Sequence, residues 1–82
     1  MDSDYDLSKL ASGCASRVAE VCGPDGMRRR LEDIGFTRGA AVRCLFEAPS
    51  GEPRAYSVRG AVIALRQADA ELVRVIKEGS WD

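Results

Sequence analysis

Apolar positions change their spacing several times along the 82-residue chain, and each change marks an element. Residues 14–21 have the composition of a strand, but Val18 and Val21 are of opposite parity, which predicts a bulge near Ala19-Glu20. Residues 27–34 switch to a helical period: Met27, Leu31 and Ile34 fall at i, i+4 and i+7, with Arg28, Arg29, Glu32 and Asp33 on the other side. Val42, Cys44 and Phe46 then alternate with Arg43, Leu45 and Glu47, a half-buried strand with Phe46 directed to the core. Strands are predicted again at residues 54–58, with Tyr56 and Val58 inward, and at 61–65, with Ile63 and Leu65 inward. A last strand covers 72–76, with Val73 and Val75 inward. Residues 66–70 are polar and small and form one helical turn. Leu7 and Leu10, one turn apart, make a short plug at one end of the domain. The expected core is Val18, Met27, Leu31, Ile34, Phe36, Val42, Phe46, Tyr56, Val58, Ile63, Leu65, Val73 and Val75.

Punctuation between these segments is specific. Gly23-Pro24-Asp25-Gly26 is a turn, with Asp25 placed to cap the helix. With Gly35 as the left-handed residue after the helix, Phe36 and Leu31 become the apolar pair of a Schellman motif. Thr37-Arg38-Gly39-Ala40 fits a type II turn with Gly39 where positive φ is needed. Pro49-Ser50-Gly51-Glu52-Pro53 is a loop, and Arg59-Gly60 a tight reversal turning on Gly60. The helix charges oppose its dipole, with arginines in the first turns and Glu32 and Asp33 in the last. Pairs of Arg28 with Glu32 and Arg29 with Asp33 return a few tenths of a kcal/mol. So short a helix does not persist alone in water and must be held by packing.

About five short strands joined by tight turns, with one short α-helix inserted after the first, describe a mainly β fold. The arrangement is a small SH3-like barrel over residues 7–76, with a flexible N-terminus at 1–6 and a tail at 77–82 carrying Trp81. Exposed strand edges could pair two copies weakly. No apolar run approaches the ~18 residues of a membrane span, so no direct membrane insertion is expected. Met1-Asp2-Ser3-Asp4 is acidic with no apolar segment behind it, so the cytoplasm is the expected address.

Composition narrows the chemistry. The chain has no histidine, which removes the commonest general base and transition-metal ligand. Cys14, Cys22 and Cys44 are an odd set without C-x-x-C spacing, which reads as buried thiols rather than a disulfide framework or zinc cluster. No nucleophile elbow or phosphate loop is present, so the chain is read as a non-enzyme with no catalytic residues, no cofactor and no dedicated metal site. A net charge of −1 offers no field to recruit nucleic acid.

The arginines carry more information. At ~100° per residue, Arg30 lies about 60° from the buried stripe and is expected to lay its stem on the barrel. Arg28 and Arg29 project outward as a docking surface for an acidic partner. Phe36 and Phe46 are assigned to the core, which leaves too few aromatics for a proline-peptide groove.

Arg29-Arg30-Leu31, Ile34-Gly35-Phe36-Thr37, Gly39, Val42, Ala48-Pro49, Pro53, Tyr56, Val58-Arg59-Gly60, Ile63-Ala64-Leu65-Arg66, Asp69-Ala70, Val73 and Val75 together resemble ferrous iron transport protein A, the FeoA family. The likeness runs from about Leu7 to Val75. It implies a cytoplasmic SH3-like barrel that works with FeoB, the membrane iron permease with a cytosolic GTPase domain, and is recruited to the inner face of the membrane through it. The chain departs from the family pattern at Arg38, where proline commonly precedes the turn glycine, and at Ser50-Gly51-Glu52. The expected partner-binding set is therefore Arg28, Arg29, Glu32, Arg38 and Glu52. The alternative is a small metal-responsive module sensing Fe(II) or another divalent ion through Cys14, Cys22, Cys44 or surface carboxylates.

Overall fold

Alternating branched and small side chains build five antiparallel strands in the computed structural model, which describes residues 5–76. In chain order the elements are β1 (Ala15–Val21), α1 (Asp25–Ile34), β2 (Ala41–Glu47), β3 (Arg54–Val58), β4 (Ala61–Leu65), α2 (Gln67–Ala70) and β5 (Val73–Val75), preceded by a 3-10 turn at Leu7–Lys9. The sheet order is β4-β3-β2-β1-β5, so β1 is shared between β2 and the C-terminal strand. The bulge in β1 falls between Val18 and Glu20, where the register against β5 shifts. It lets Val18 enter the core opposite Val75 while Glu20, opposite Arg74, faces out.

The core is one cluster built from every element: Leu7 and Leu10 from the first turn, Val18, Leu31, Phe36, Val42, Cys44, Tyr56, Val58, Leu65, Ala70, Val73 and Val75. Four assignments from the pattern are corrected. Phe46 is 59% exposed because a second irregularity, between Cys44 and Phe46, re-phases β2. Cys44 pairs with Tyr56 on the core face, whereas Phe46 pairs with Ala55 on the opposite face. Val42, Cys44 and Phe46 keep one parity through this point, so the alternation carries no sign of the extra residue in β2. Ile34 is 36% exposed, since the reversal after α1 sends Phe36 inward in its place. Met27 and Ile63 are half-buried and pack on the rim of the cluster.

Arg54 is the buried residue that the pattern concealed, at 5% exposure. Its guanidinium donates to the carbonyls of Leu7 (3.1 Å), Leu10 (2.5 Å) and Ser8, and pairs with Glu47 at 3.2 Å. A buried charge is tolerated when paired and hydrogen-bonded, and here it fastens the N-terminal turn to the sheet. That turn is further held by Asp6, whose carboxylate accepts from the Ser8 N–H at 2.9 Å. The Val75 N–H donates to the Tyr5 carbonyl at 3.0 Å, and the backbone of Asp6 forms an isolated antiparallel β-bridge with that of Arg74, so residues 5 and 6 cover the outer side of β5. The loose segment expected at 1–6 is thus corrected for Tyr5 and Asp6. Residues 1–4 and the tail at 77–82, with Trp81, lie outside the described residues.

Candidate functional site

The site is assembled where α1 crosses β1. Pro24 precedes α1 with extended backbone, and the first helical bond runs from Arg28 N–H to the Pro24 carbonyl at 2.8 Å. Asp25 is already inside the helix and caps nothing; its carboxylate instead pairs with Arg28 at 2.8 Å. The expected partner of Arg28, Glu32, is left facing outward. The far end of α1 is a complete Schellman motif: Phe36 N–H donates to the Leu31 carbonyl (3.0 Å) and Gly35 N–H to the Glu32 carbonyl (3.1 Å), with Gly35 at φ 137.

The dipole mismatch read from the sequence is met from outside the helix. Arg59, in the β3–β4 turn, lies over Gly35 and donates to the Thr37 hydroxyl at 3.0 Å. A cation is thereby placed at the carbonyl end of α1, where the dipole favours it. At the start, Asp25 supplies the favoured negative charge.

The turn after α1 brings in the third component. The Ala40 N–H donates to the Thr37 carbonyl at 2.9 Å with Gly39 at φ 86, a type II turn. Gly39 N–H then donates to the Val18 carbonyl (2.7 Å) and Val18 N–H to the Ala40 carbonyl (2.9 Å), a glycine-type bulge that seats the turn on β1. Arg38 is carried at the tip of this turn. The result is an open groove of about 640 Å³ lined by Ala19, Glu20 and Val21 of β1, Arg28 and Glu32 of α1, and Arg38.

Three of the five expected docking residues, Arg28, Glu32 and Arg38, therefore meet in one place. Glu20 joins them, and the sequence offered a signal for it in the parity break at Ala19-Glu20. Arg29 is exposed but does not line the groove. Glu52 is elsewhere: its carboxylate accepts from the N–H of Gln67 at 2.6 Å, at the first residue of α2. It caps that short helix across 15 residues of sequence. Arg30, expected along the barrel, is exposed and makes no ion pair among the described residues. The side chains of Glu20, Glu32 and Arg38 likewise have no ion-pair partner among them. The groove holds neither thiol nor hydroxyl, so its chemistry is that of charge recognition.

The three thiols are not gathered. Cys14 and Cys44 are cross-strand neighbours near the start of β1, whereas Cys22 follows its far end, where its N–H donates to the Leu72 carbonyl at 2.8 Å. Among the described residues no three Cys, Asp or Glu side chains stand close enough together to hold a metal ion. No helix in the described residues is long and apolar enough to cross a membrane.

A family model for the FeoA domain matches residues 5–77. The chain belongs to the FeoA family. Among solved structures, the FeoA of Stenotrophomonas maltophilia, complexed with zinc, is 33% identical with a TM-score of 0.79, over 88% of this chain and 89% of that one. That protein is described as a procaryotic SH3-domain protein and a candidate ferrous iron transport activating factor. The solution structure of FeoA from Chlorobium tepidum is 35% identical with a TM-score of 0.81, covering 87% of this chain and 68% of that one. A FeoA-like protein from Clostridium acetobutylicum matches at 26% identity and a TM-score of 0.82, over 93% and 88% of the two chains. A manganese-dependent transcriptional repressor shares the fold at 19% identity and a TM-score of 0.78 over 88% of this chain, and this chain spans 40% of it. No curated protein sequence matches. The five-stranded, mainly β fold of this FeoA domain is the small SH3-like kind.

Proposed function

We propose that this FeoA-family protein is a cytoplasmic accessory factor of ferrous iron uptake that docks on the cytosolic part of a FeoB-type permease and modulates it. The reading is supported by membership of a family whose solved members are described as iron transport proteins, and by the groove between α1 and β1. The groove carries it: Arg38, Glu20 and Glu32 are presented there without intramolecular ion pairs among the described residues, beside Arg28, whose one pair is solvent-exposed. Exposed pairs are worth little, so Arg28 can exchange Asp25 for a partner carboxylate at small cost. Mixed charge across a cleft favours orientation and on-rate in an encounter over raw affinity, which suits a reversible modulator. The same groove, open and without a nucleophile, suits a binding role and not a catalytic one.

Titration of the isotopically labelled protein with the permease's cytosolic domain tests this. Amide shifts clustered on residues 19–21, 28–32 and 38 are expected, and Arg38→Glu combined with Arg28→Glu weakens the complex. Shifts confined to the 49–53 loop would move docking there, and none at saturating partner would reject it. The alternative of Fe(II) sensing through the cysteines has less support, because Cys22 stands apart from the other two thiols.

A further inference from the structure

The turn Ala11-Ser12-Gly13-Cys14 closes with Cys14 N–H on the Ala11 carbonyl at 3.0 Å and Gly13 at φ 86. Gly13 N–H donates to the Cys44 carbonyl at 2.7 Å, and Cys44 N–H donates back to the Cys14 carbonyl at 3.0 Å. This is the glycine-type bulge seen again at Gly39: Gly13 is the extra residue and Cys14 is the partner of Cys44. The assignment continues the register beneath it, where Ala15 pairs with Arg43 and Ser16 with Val42. Hydrogen-bonded cross-strand partners stand ~5.5 Å apart at Cα. A disulfide spans ~4.4–6.8 Å between Cα atoms, a range that includes this separation.

The burial of the two residues completes the geometry. Cys44 is fully buried within the core cluster, and Cys14 is half-buried and packs against the same cluster. Both thiols therefore leave the sheet on its core side, and Cys14 is the one that solvent reaches. Cys22 lies roughly 25 Å of strand away, at ~3.3 Å per residue.

We propose that Cys14 and Cys44 form a peroxide-oxidisable pair that closes to an intramolecular disulfide. In the first step the Cys14 thiolate attacks a peroxide oxygen: the S–O bond forms as the O–O bond breaks, and the leaving hydroxide takes up a proton as water. In the second the Cys44 sulfur attacks Sγ of Cys14: the S–S bond forms as the S–O bond breaks, and the departing hydroxide takes the thiol proton as a second water. Two thiols lose two electrons in total and one peroxide becomes two waters. Exposure assigns the first step to Cys14, because a buried thiol is inert until an electrophile is placed beside it. In a cytoplasmic protein such a bond is formed in response to oxidant and is not a permanent staple. The pair sits at the opposite end of β1 from the docking groove, so the proposal does not depend on the docking reading.

Treatment of the native, fully reduced protein with stoichiometric hydrogen peroxide is the test, read by intact mass, alkylation and peptide mapping. The expected product has lost the mass of two hydrogens, carries a Cys14–Cys44 linked peptide, and leaves Cys22 open to alkylation. Reduction by dithiothreitol restores all three thiols. Cys14→Ser and Cys22→Ser separate the roles, the first abolishing the product and the second leaving it intact. The wild-type peptide map decides the outcome even where a Cys44 variant fails to fold. Three intact thiols, a link through Cys22, an intermolecular link, or Cys14 driven to sulfinic acid with Cys44 still alkylatable would each overturn the proposal.

Discussion

Tyr56 donates its hydroxyl hydrogen to the carbonyl of Leu7 at 2.9 Å, across 49 residues of sequence and inside a core where both side chains are fully buried. Burial pushes the phenol up to about 12, and the nearby Arg54 guanidinium opposes only part of the shift. The folded value lies above the ordinary tyrosine value near 10, so this contribution to stability is fully present below pH ~10 and is lost as pH rises through 12. Unfolding titrations at pH 9 and 12 are expected to show wild type losing about 2 kcal/mol more than Tyr56→Phe. At pH 7 the phenylalanine variant is less stable by about 1 kcal/mol, since Arg54 still donates to the Leu7 carbonyl.

Arg54 cannot be replaced by another cation. Its fork serves the Leu7, Ser8 and Leu10 carbonyls together with Glu47, and an ammonium group reaches fewer of them. Arg54→Lys is expected to cost about 2–4 kcal/mol in chemical denaturation, with the N-terminal turn releasing first in amide exchange.

The reversal at Gly35 has a conformational requirement. Its φ of 137 is one that L side chains rarely adopt, and an added Cβ would rest 3.5 Å from Arg59 Cγ, an ordinary contact. The penalty of Gly35→Ala is therefore backbone strain and not a clash, about 1–2 kcal/mol, read as a fall in Tm with the fold retained.

Two phenylalanines ten residues apart differ in kind. Phe46→Ser is expected to change stability by less than about 1 kcal/mol, because the ring is 59% exposed beside Ala55. Phe36→Ala, at a fully buried site, is expected to cost about 3–5 kcal/mol. Parallel denaturant melts compare the two.

Local chemistry was legible without coordinates. The parity break at Val18 and Val21 located the first bulge, and Gly35 beside Leu31 and Phe36 specified the helix end that the hydrogen bonds display. Gly39 and Gly60, both at positive φ, mark the turns where they were expected. Part of the groove was legible too, as Arg28, Glu32 and Arg38, because a charged residue on an exposed face declares itself by type. Glu52 misled for the same reason: its carboxylate reads as surface charge, and only the fold reveals the α2 N–H that it receives.

The sequence by itself determined the elements, their turns and the family, because periodicity, glycine conformation and turn chemistry act over a few residues. Tertiary structure decided the phase of β2 beyond Cys44, the burial of Arg54, the cation that Arg59 supplies to α1, and the meeting of Glu20 with Arg38. Each of these joins residues distant in the chain, where local propensity carries no information and packing chooses the partner.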